Sequence, residues 1–366
     1  MSKAIIPLLM PKWGIDMTEG TVVRWLVSKG EQVAPGMEIV EIESEKAASA
    51  VEAANHGLLR RQIAAEGQRL AVGALLGVIA DNAISDADID KFTSGFEMPE
   101  VIGESAPSPD KTLEVSGQTI GYLESGEGKP AVLLVHGFGG NLKSWAPVQL
   151  ALSRAFRTVS MDLPGHGGSV KAIASGEADY FVGVIAEFIR TLELAPVHLV
   201  GHSWGGDLAV LVAEDQPDLV ASLTLIGAQG PGEAVDKGYV QAFIEAARRK
   251  ALKAVLQQLF HDPALVTRKM VEDTLKYKRL DAVEETLRKI AAAARQSSAG
   301  AKPVPRLLQI IAGKSDSICP FDTDVPLPEG VEIHLLEKVG HMPQVEAPAE
   351  VVRIITDFAR AHPEVS

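Results

Sequence analysis

Cys319 is the only cysteine in 366 residues. One thiol cannot close a disulfide within the chain, which excludes a stapled fold and fits a reducing, cytoplasmic compartment. Long apolar runs are missing as well. None approaches the ~20 residues that a membrane-spanning helix needs, so no membrane partner is expected. Residues 1–9 lack the apolar stretch and small-residue cleavage site of a signal peptide. Positive charge is in deficit: 35 Lys and Arg face 48 Asp and Glu, a net charge of −13. That balance argues against a nucleic-acid partner. No grouping of Cys, His and carboxylates has metal-ligand spacing, and no metal is expected. Apolar residues, at 46%, are ample for a buried core.

Residues 1–83 contain a repeat. Glu19-Gly20, Lys29-Gly30 and Pro35-Gly36 recur 37 residues later as His56-Gly57, Glu66-Gly67 and Val72-Gly73. Glycines at fixed intervals mark turns, and the alternation between them marks half-buried strands. Two equal halves of short strands predict a small flattened all-β sandwich with pseudo-twofold symmetry. The halves join at Glu41-Ile42-Glu43-Ser44-Glu45-Lys46-Ala47, which reads as a hairpin with Lys46 pushed into solvent. The stretches M-P-K-W-G-I-D-M-T-E-G, K-G-E-Q-V-x-P-G and E-S-E-K-A, within residues 4–80, resemble a lipoyl domain. The resemblance implies a lipoyl group in amide linkage on Lys46. Biotinyl domains share the architecture but usually place Met on both sides of the lysine. Glu45 and Ala47 favour lipoate.

Composition then shifts. Residues 84–110 hold seven carboxylates against Lys91, with Pro99, Pro107 and Pro109. Acidic, proline-bearing segments stay extended, so a flexible linker with a reach of about 25–30 Å is expected. Residues 85–96 could form one helical turn or two. There is no room here for the small subunit-binding domain of the usual lipoyl-bearing acyltransferases.

Residues 111–366 are organised around V-H-L-V-G-H-S-W-G-G-D-L-A at 197–209. It reads as an apolar strand, a sharp turn and the start of a helix. Gly201-His202-Ser203-Trp204-Gly205 matches the G-x-S-x-G nucleophile elbow, where glycines on either side relieve the crowding around an exposed serine. Further apolar strands at 131–135, 156–161, 220–226, 306–312 and 331–336 alternate with helical spacing, predicting a mostly parallel, helix-flanked sheet. Over residues 112–362 the chain resembles the α/β-hydrolase superfamily.

Serine chemistry needs a base, an acid that orients it, and donors for the oxyanion. In this family the order along the chain is Ser, acid, His. Gly313-Lys314-Ser315-Asp316 follows a strand, making Asp316 the expected acid, with Asp322 and Asp324 as rivals further from the strand end. Gly340-His341-Met342-Pro343 follows the last strand, making His341 the expected base. The backbone N–H groups of Trp204 and of Phe138, in His136-Gly137-Phe138-Gly139-Gly140, would form the oxyanion hole. His136 and His166 resemble structural positions of the family that brace loops, and His202 sits behind the nucleophile.

A helical cap is expected over about 228–302, with helices at 241–259, 266–277 and 282–294. Residues 231–302 carry 14 Lys and Arg against 9 Asp and Glu, a net +5 within an acidic chain. Solvated helix faces account for such charge; alternatively, Arg248, Arg249, Lys250 and Lys253 would contact coenzyme A phosphates.

A lipoyl domain fused to an α/β-hydrolase resembles the dihydrolipoamide acetyltransferase components of acetoin dehydrogenase complexes. The H-x-x-x-D-G motif of ordinary acyltransferase components is absent. The resemblance implies acetyl transfer from the dihydrolipoyl arm on Lys46 to coenzyme A. It also implies a thiamine-diphosphate-dependent dehydrogenase component and lipoamide dehydrogenase as partners. A homo-oligomer is compatible with the sequence. Two other readings stay open here: a thioesterase or esterase with an appended carrier, and a non-catalytic docking module.

Overall fold

The computed structural model describes residues 5–11, 19–34, 36–43, 48–53, 56–94, 96, 111–228, 237–294, 307–322, 327 and 329–362. The chain divides into two compact units, Met1–Ser105 and Ala106–Ser366. No described helix is long and apolar enough to cross a membrane.

The first unit contains β1 (Ile5–Leu9), β2 (Glu19–Trp25), β3 (Gln32–Val33), β4 (Glu38–Glu43), β5 (Ala48–Glu52), β6 (Gly57–Gln62), β7 (Arg69–Ala71) and β8 (Leu75–Ala80). They form two antiparallel four-stranded sheets, ordered β1-β8-β6-β3 and β5-β4-β2-β7. Advancing each strand by four, counted cyclically, turns the first order into the second, which is the expected pseudo-twofold repeat. The recurring glycines serve the same turns in both halves: Gly30 and Gly67 have φ of 91° and 78°, Gly36 and Gly73 of 82° and 85°. Such backbone is open to glycine and costly for other residues. Val22, Ile39, Ile42, Leu59 and Leu76 fill the core between the sheets. The β4–β5 pairing runs out to Glu43 opposite Ala48. Residues 44–47, with Lys46, lie outside the described residues.

The first unit extends beyond the expected boundary at residue 83. Asp86–Ser94 is a helix, α1, not extended linker. The Ser85 hydroxyl accepts from the Asp88 amide at 3.1 Å and caps its start. Ile89, fully buried, packs with Ile84 on Val78 and Ala80 of β8. Arg60 pairs with Asp86, and Arg61 with Asp86 and Asp90, at 2.7–3.0 Å. The acidity that suggests a solvated linker is thus drawn onto two arginines of β6. Ile89→Ala should cost about 2–4 kcal/mol of local stability. Hydrogen exchange should show lost protection at 86–94 while β2, β4 and β6 keep theirs. Unchanged protection there would mean that the apolar contact does not hold α1.

The second unit is a sheet of eight strands: β9 (Lys111–Val115), β10 (Gln118–Ser125), β11 (Ala131–Val135), β12 (Arg157–Met161), β13 (Val197–His202), β14 (Val220–Ile226), β15 (Leu308–Gly313) and β16 (Glu332–Leu336). The order is β16-β15-β14-β13-β11-β12-β10-β9, antiparallel only where β10 meets β9 and β12. Apart from the edge strand β16, the parallel strands are almost wholly buried, as sheets covered on both faces must be. Val132, Leu134, Val200, Ile226 and Ile311 face α2 (Ala146–Leu152) and the C-terminal helix. Leu133, Val135, Leu199, Leu225 and Ile310 face α3 (Ala178–Thr191) and α4 (Trp204–Asp215).

Between β14 and β15 lies the cap: α5 (Lys237–Glu245), α6 (Arg249–Gln257), α7 (Arg268–Lys278) and α8 (Val283–Ala294). It has its own core, including Phe243, Leu252, Leu256, Val271 and Leu287. The helix expected over 241–259 is two helices. The Lys278 ammonium donates to the Phe243 and Ala246 carbonyls, the latter at 2.7 Å. These are the terminal acceptors of α5, so a residue from α7 closes the helix from outside. After His341 the chain makes one short turn, α9 (Pro343–Glu346), and ends in α10 (Pro348–Ala361).

Candidate active site

Strands β12 and β13 flank β11 on opposite sides. The connections around β11 therefore diverge and leave a crevice at the carboxyl ends of β11 and β13, where α/β sheets place their chemistry. Ser203 sits there with φ 53° and ψ −127°. Its amide donates to the Ile226 carbonyl at 2.8 Å, tying the corner to β14. A Cβ on Gly201 would stand 2.4 Å from the Gly205 carbonyl oxygen, and one on Gly205 2.4 Å from that of His136. Both positions are thus restricted to glycine by close backbone approach.

His341 Nδ1–H donates to Asp316 Oδ2 at 2.8 Å. Asp316 Oδ1 accepts the amides of Ile318 and Cys319 at 2.8 and 2.9 Å. The carboxylate is thus held on both oxygens and fixes the ring with Nε2 as its basic nitrogen. Ser203, Asp316 and His341 are 4%, 6% and 2% exposed, so water has little access. The backbone of His341 is held to the end of β13: His202 donates through Nε2 to the His341 carbonyl at 2.8 Å. A Cβ on Gly227, next to Ile226, would stand 3.2 Å from His341 Nδ1. Of the rival acids, Asp322 is exposed and Asp324 lies outside the described residues.

Neither the Phe138 nor the Trp204 amide has a hydrogen-bond partner among the described residues. The next amide, of Gly139, is taken by His166 Nε2 at 3.1 Å. His136 Nε2 accepts from the Leu163 amide at 3.1 Å. Accepting through a ring nitrogen requires neutral imidazole. Burial accordingly pushes His136 down to about 4, and His166 and His202 to about 3. His198, at the far end of β13, is lowered by burial to about 4. The first three rings brace loops, and His198 bonds Ser222 of β14 through Nδ1 at 2.7 Å. The walls are aromatic: Trp204 packs on Phe181 at 4.8 Å, and Phe138 on Phe243 of the cap at 6.0 Å.

The four imidazoles set an acid limit on stability. Unfolded histidine titrates near ~6.5, so the unfolded chain binds more protons as pH falls through that value. Stability then declines from about pH 6.5 towards the folded values. Burial raises the Asp207 carboxyl, and its single proton opposes the trend. Urea unfolding of the second unit should show a plateau above about pH 7.5 and a lower midpoint by pH 5. A flat profile would contradict neutral, buried rings.

Two positioning residues carried no signal in the sequence. Glu346 accepts the amides of Gly340 and His261 at 2.6 and 2.7 Å, joining the His341 loop to the cap. Tyr277 of α7 donates to the Gly165 carbonyl at 2.9 Å and stacks on His166. The basic run Arg248, Arg249, Lys250 and Lys253 is exposed, and of these Arg249 pairs with Glu272 at 2.9 Å. Among the described residues no three His, Cys, Asp or Glu side chains gather as a metal site would.

Comparison with known proteins agrees with both halves. The family described as biotin-requiring enzyme, of biotin/lipoyl type, matches residues 7–79. The alpha/beta hydrolase fold matches residues 130–295. A meta-cleavage product hydrolase (CumD) from Pseudomonas fluorescens IP01 superposes with a TM-score of 0.62 at 22% identity, covering 69% of this chain and 97% of that one. The dihydrolipoyllysine-residue acetyltransferase component of the acetoin cleaving system of Pseudomonas putida is 40% identical, covering 97% of this chain and 98% of its own. Its counterpart from Cupriavidus necator is 38% identical over 94% and 95%. Likeness on this scale spans both units and the segment between them: the chain belongs to the family of dihydrolipoyllysine-residue acetyltransferase components of acetoin cleaving systems.

Proposed function

We infer that the second unit moves an acetyl group from a thioester borne by the first unit onto the thiol of coenzyme A, in acetoin catabolism. The carrying observation is the 2.8 Å bond between His341 and a carboxylate already saturated by two amides. Ser203 Oγ attacks the acyl carbonyl while His341 Nε2 takes its proton. Asp316 stabilises the imidazolium, and the Phe138 and Trp204 amides receive the oxyanion. His341 then protonates the departing thiolate. The incoming thiol gives its proton back to Nε2, its sulfur attacks acyl-Ser203, and the Ser203 hydroxyl is restored.

Lys46 supplies the attachment amine on the first unit. The fit rests on β4 and β5, whose pairing to Glu43 and Ala48 leaves only the four residues 44–47 to connect them. A lipoyl group, when attached, supplies the thiol on which the acetyl group arrives. A thiamine-diphosphate-dependent component would load that thiol, and lipoamide dehydrogenase would reoxidise it.

Hydrolysis is the competing outcome, because the same three side chains serve esterases. The burial of Ser203 and His341 favours transfer, since a dry site spares the acyl-enzyme from water. Incubating the acetyl-loaded protein with and without coenzyme A, and identifying the product, tests this. Acetyl-coenzyme A should dominate when the thiol is present. Acetate released at the same rate in both cases would refute it.

A further inference from the structure

The basic cap holds a concavity that the chemistry above does not use. A cavity of about 550 Å³ is lined by Arg249, Glu272, Leu275, Lys276 and Arg279. Three cations face one carboxylate, and that carboxylate is already shared between Arg249 and Arg268 at 2.9 and 2.8 Å. Lys276 and Arg279 make no side-chain hydrogen bond or ion pair among the described residues, so their charge is left facing the cavity. At its edge, α6 begins with Arg248, Arg249 and Lys250, without a side-chain cap and without an acid in its first turn. Cations at a helix start oppose its dipole, an arrangement that a bound anion would relieve.

The cavity's place in the fold matters as much as its charge. Glu272, Leu275 and Lys276 of α7, with Arg279 at its C-terminal cap, form one stripe. Tyr277 points to the other side of the same helix, where it stacks on His166 beside the oxyanion loop. A helix with its side chains is about 10–12 Å across. An anion in the cavity is therefore separated from the reacting thiol by roughly the thickness of α7. Only a ligand with a long arm between its anionic end and its thiol can serve both places. A pantetheine arm, about four residue lengths at ~3.3–3.6 Å each, has that reach.

We propose that the cavity between α6 and α7 binds the phosphate-bearing nucleotide end of coenzyme A, through Arg249, Lys276 and Arg279. The proposal rests on coenzyme A as the acyl acceptor. It shifts the contacts expected from the sequence: Arg248, Lys250 and Lys253 do not line the cavity.

Two measurements on the full chain test it. Adenosine 3′,5′-bisphosphate, which carries the nucleotide phosphates and no thiol, is titrated calorimetrically. The double variant Lys276→Glu/Arg279→Glu should bind it at least about tenfold more weakly than the parent, and Arg248→Glu/Lys250→Glu, at the cavity's edge, should weaken it by no more than about threefold. In steady-state transfer, the first variant should raise KM for coenzyme A at least about tenfold more than KM for pantetheine, which lacks the nucleotide. No bisphosphate binding by the parent, equal loss in both variants, or equal KM changes for both thiols would each overturn the site. A parent that binds the bisphosphate through Lys276 and Arg279 yet releases only acetate would leave the cavity assigned and refute the acceptor reading instead.

Discussion

Ser203→Ala should lower acetyl transfer by ~10⁴–10⁶-fold, because no other group at the corner of β13 can hold the acyl chain. His341→Ala should cost nearly as much, and the double variant little more, since hydroxyl and imidazole act as one unit. Asp316→Asn should lose ~10²–10⁴-fold. An amide there still accepts but no longer stabilises imidazolium, and it favours the wrong tautomer. Stopped transfer assays with acetyl-dihydrolipoamide and coenzyme A measure all three. A different ranking would expose a different reaction. Were coenzyme A to attack the thioester directly, His341 would activate its thiol and Ser203 would only donate a hydrogen bond. Ser203→Ala would then lose merely ~10–100-fold while His341→Ala stayed severe. Labelled acyl trapped on the peptide containing Ser203, without coenzyme A present, separates the two.

Lys46→Arg should abolish transfer from the protein-borne acyl group and leave transfer from free acetyl-dihydrolipoamide intact. Arginine keeps the positive charge but has no primary amine to form the amide bond, so the loss reports attachment and not electrostatics. Intact-mass measurement after co-expression with a lipoate ligase should show one lipoyl group on the parent and none on the variant. A lipoyl group found on another lysine would overturn the assignment.

What could be read from the sequence is what local sterics dictate. The elbow needs glycine at 201 and 205 whatever surrounds it, so the motif and its strand–helix context were visible together. The repeat in the first unit is carried by glycines in the left-handed region, which leave a fixed spacing behind. Other features depend on partners distant in the chain. The Lys278 ammonium that ends α5 comes from α7, and nothing near Ala246 announces a break. Glu346 is an ordinary glutamate until it meets the Gly340 and His261 amides. In α1, three aspartates mask the apolar Ile89 and Phe92, which with Ile84 just before the helix make a stripe apparent only against β8. The run Arg248-Arg249-Lys250 is a string of charges in the sequence, whereas of it only Arg249 lines the cavity, together with Lys276 of α7 and Arg279 at that helix's end.

The two sheets of the first unit also fix which of its poles the segment bearing Lys46 joins and which pole the chain leaves. Glu43, where the segment bearing Lys46 begins, pairs with Thr21 near the start of β2. The end of β7 lies there too, with Ala71 opposite Glu19, and β8 sets out from that end. Ala80 therefore closes β8 at the opposite pole, beside Ile5. Six strand residues at ~3.3 Å put about 20 Å between the poles. The chain thus leaves the last strand of the first unit at the pole opposite the one where β4 and β5 break off at Glu43 and Ala48. Because α1 is held to the pole that the chain leaves by Arg60 and Arg61, shortening the chain after Ser94 should leave the fold of the first unit intact.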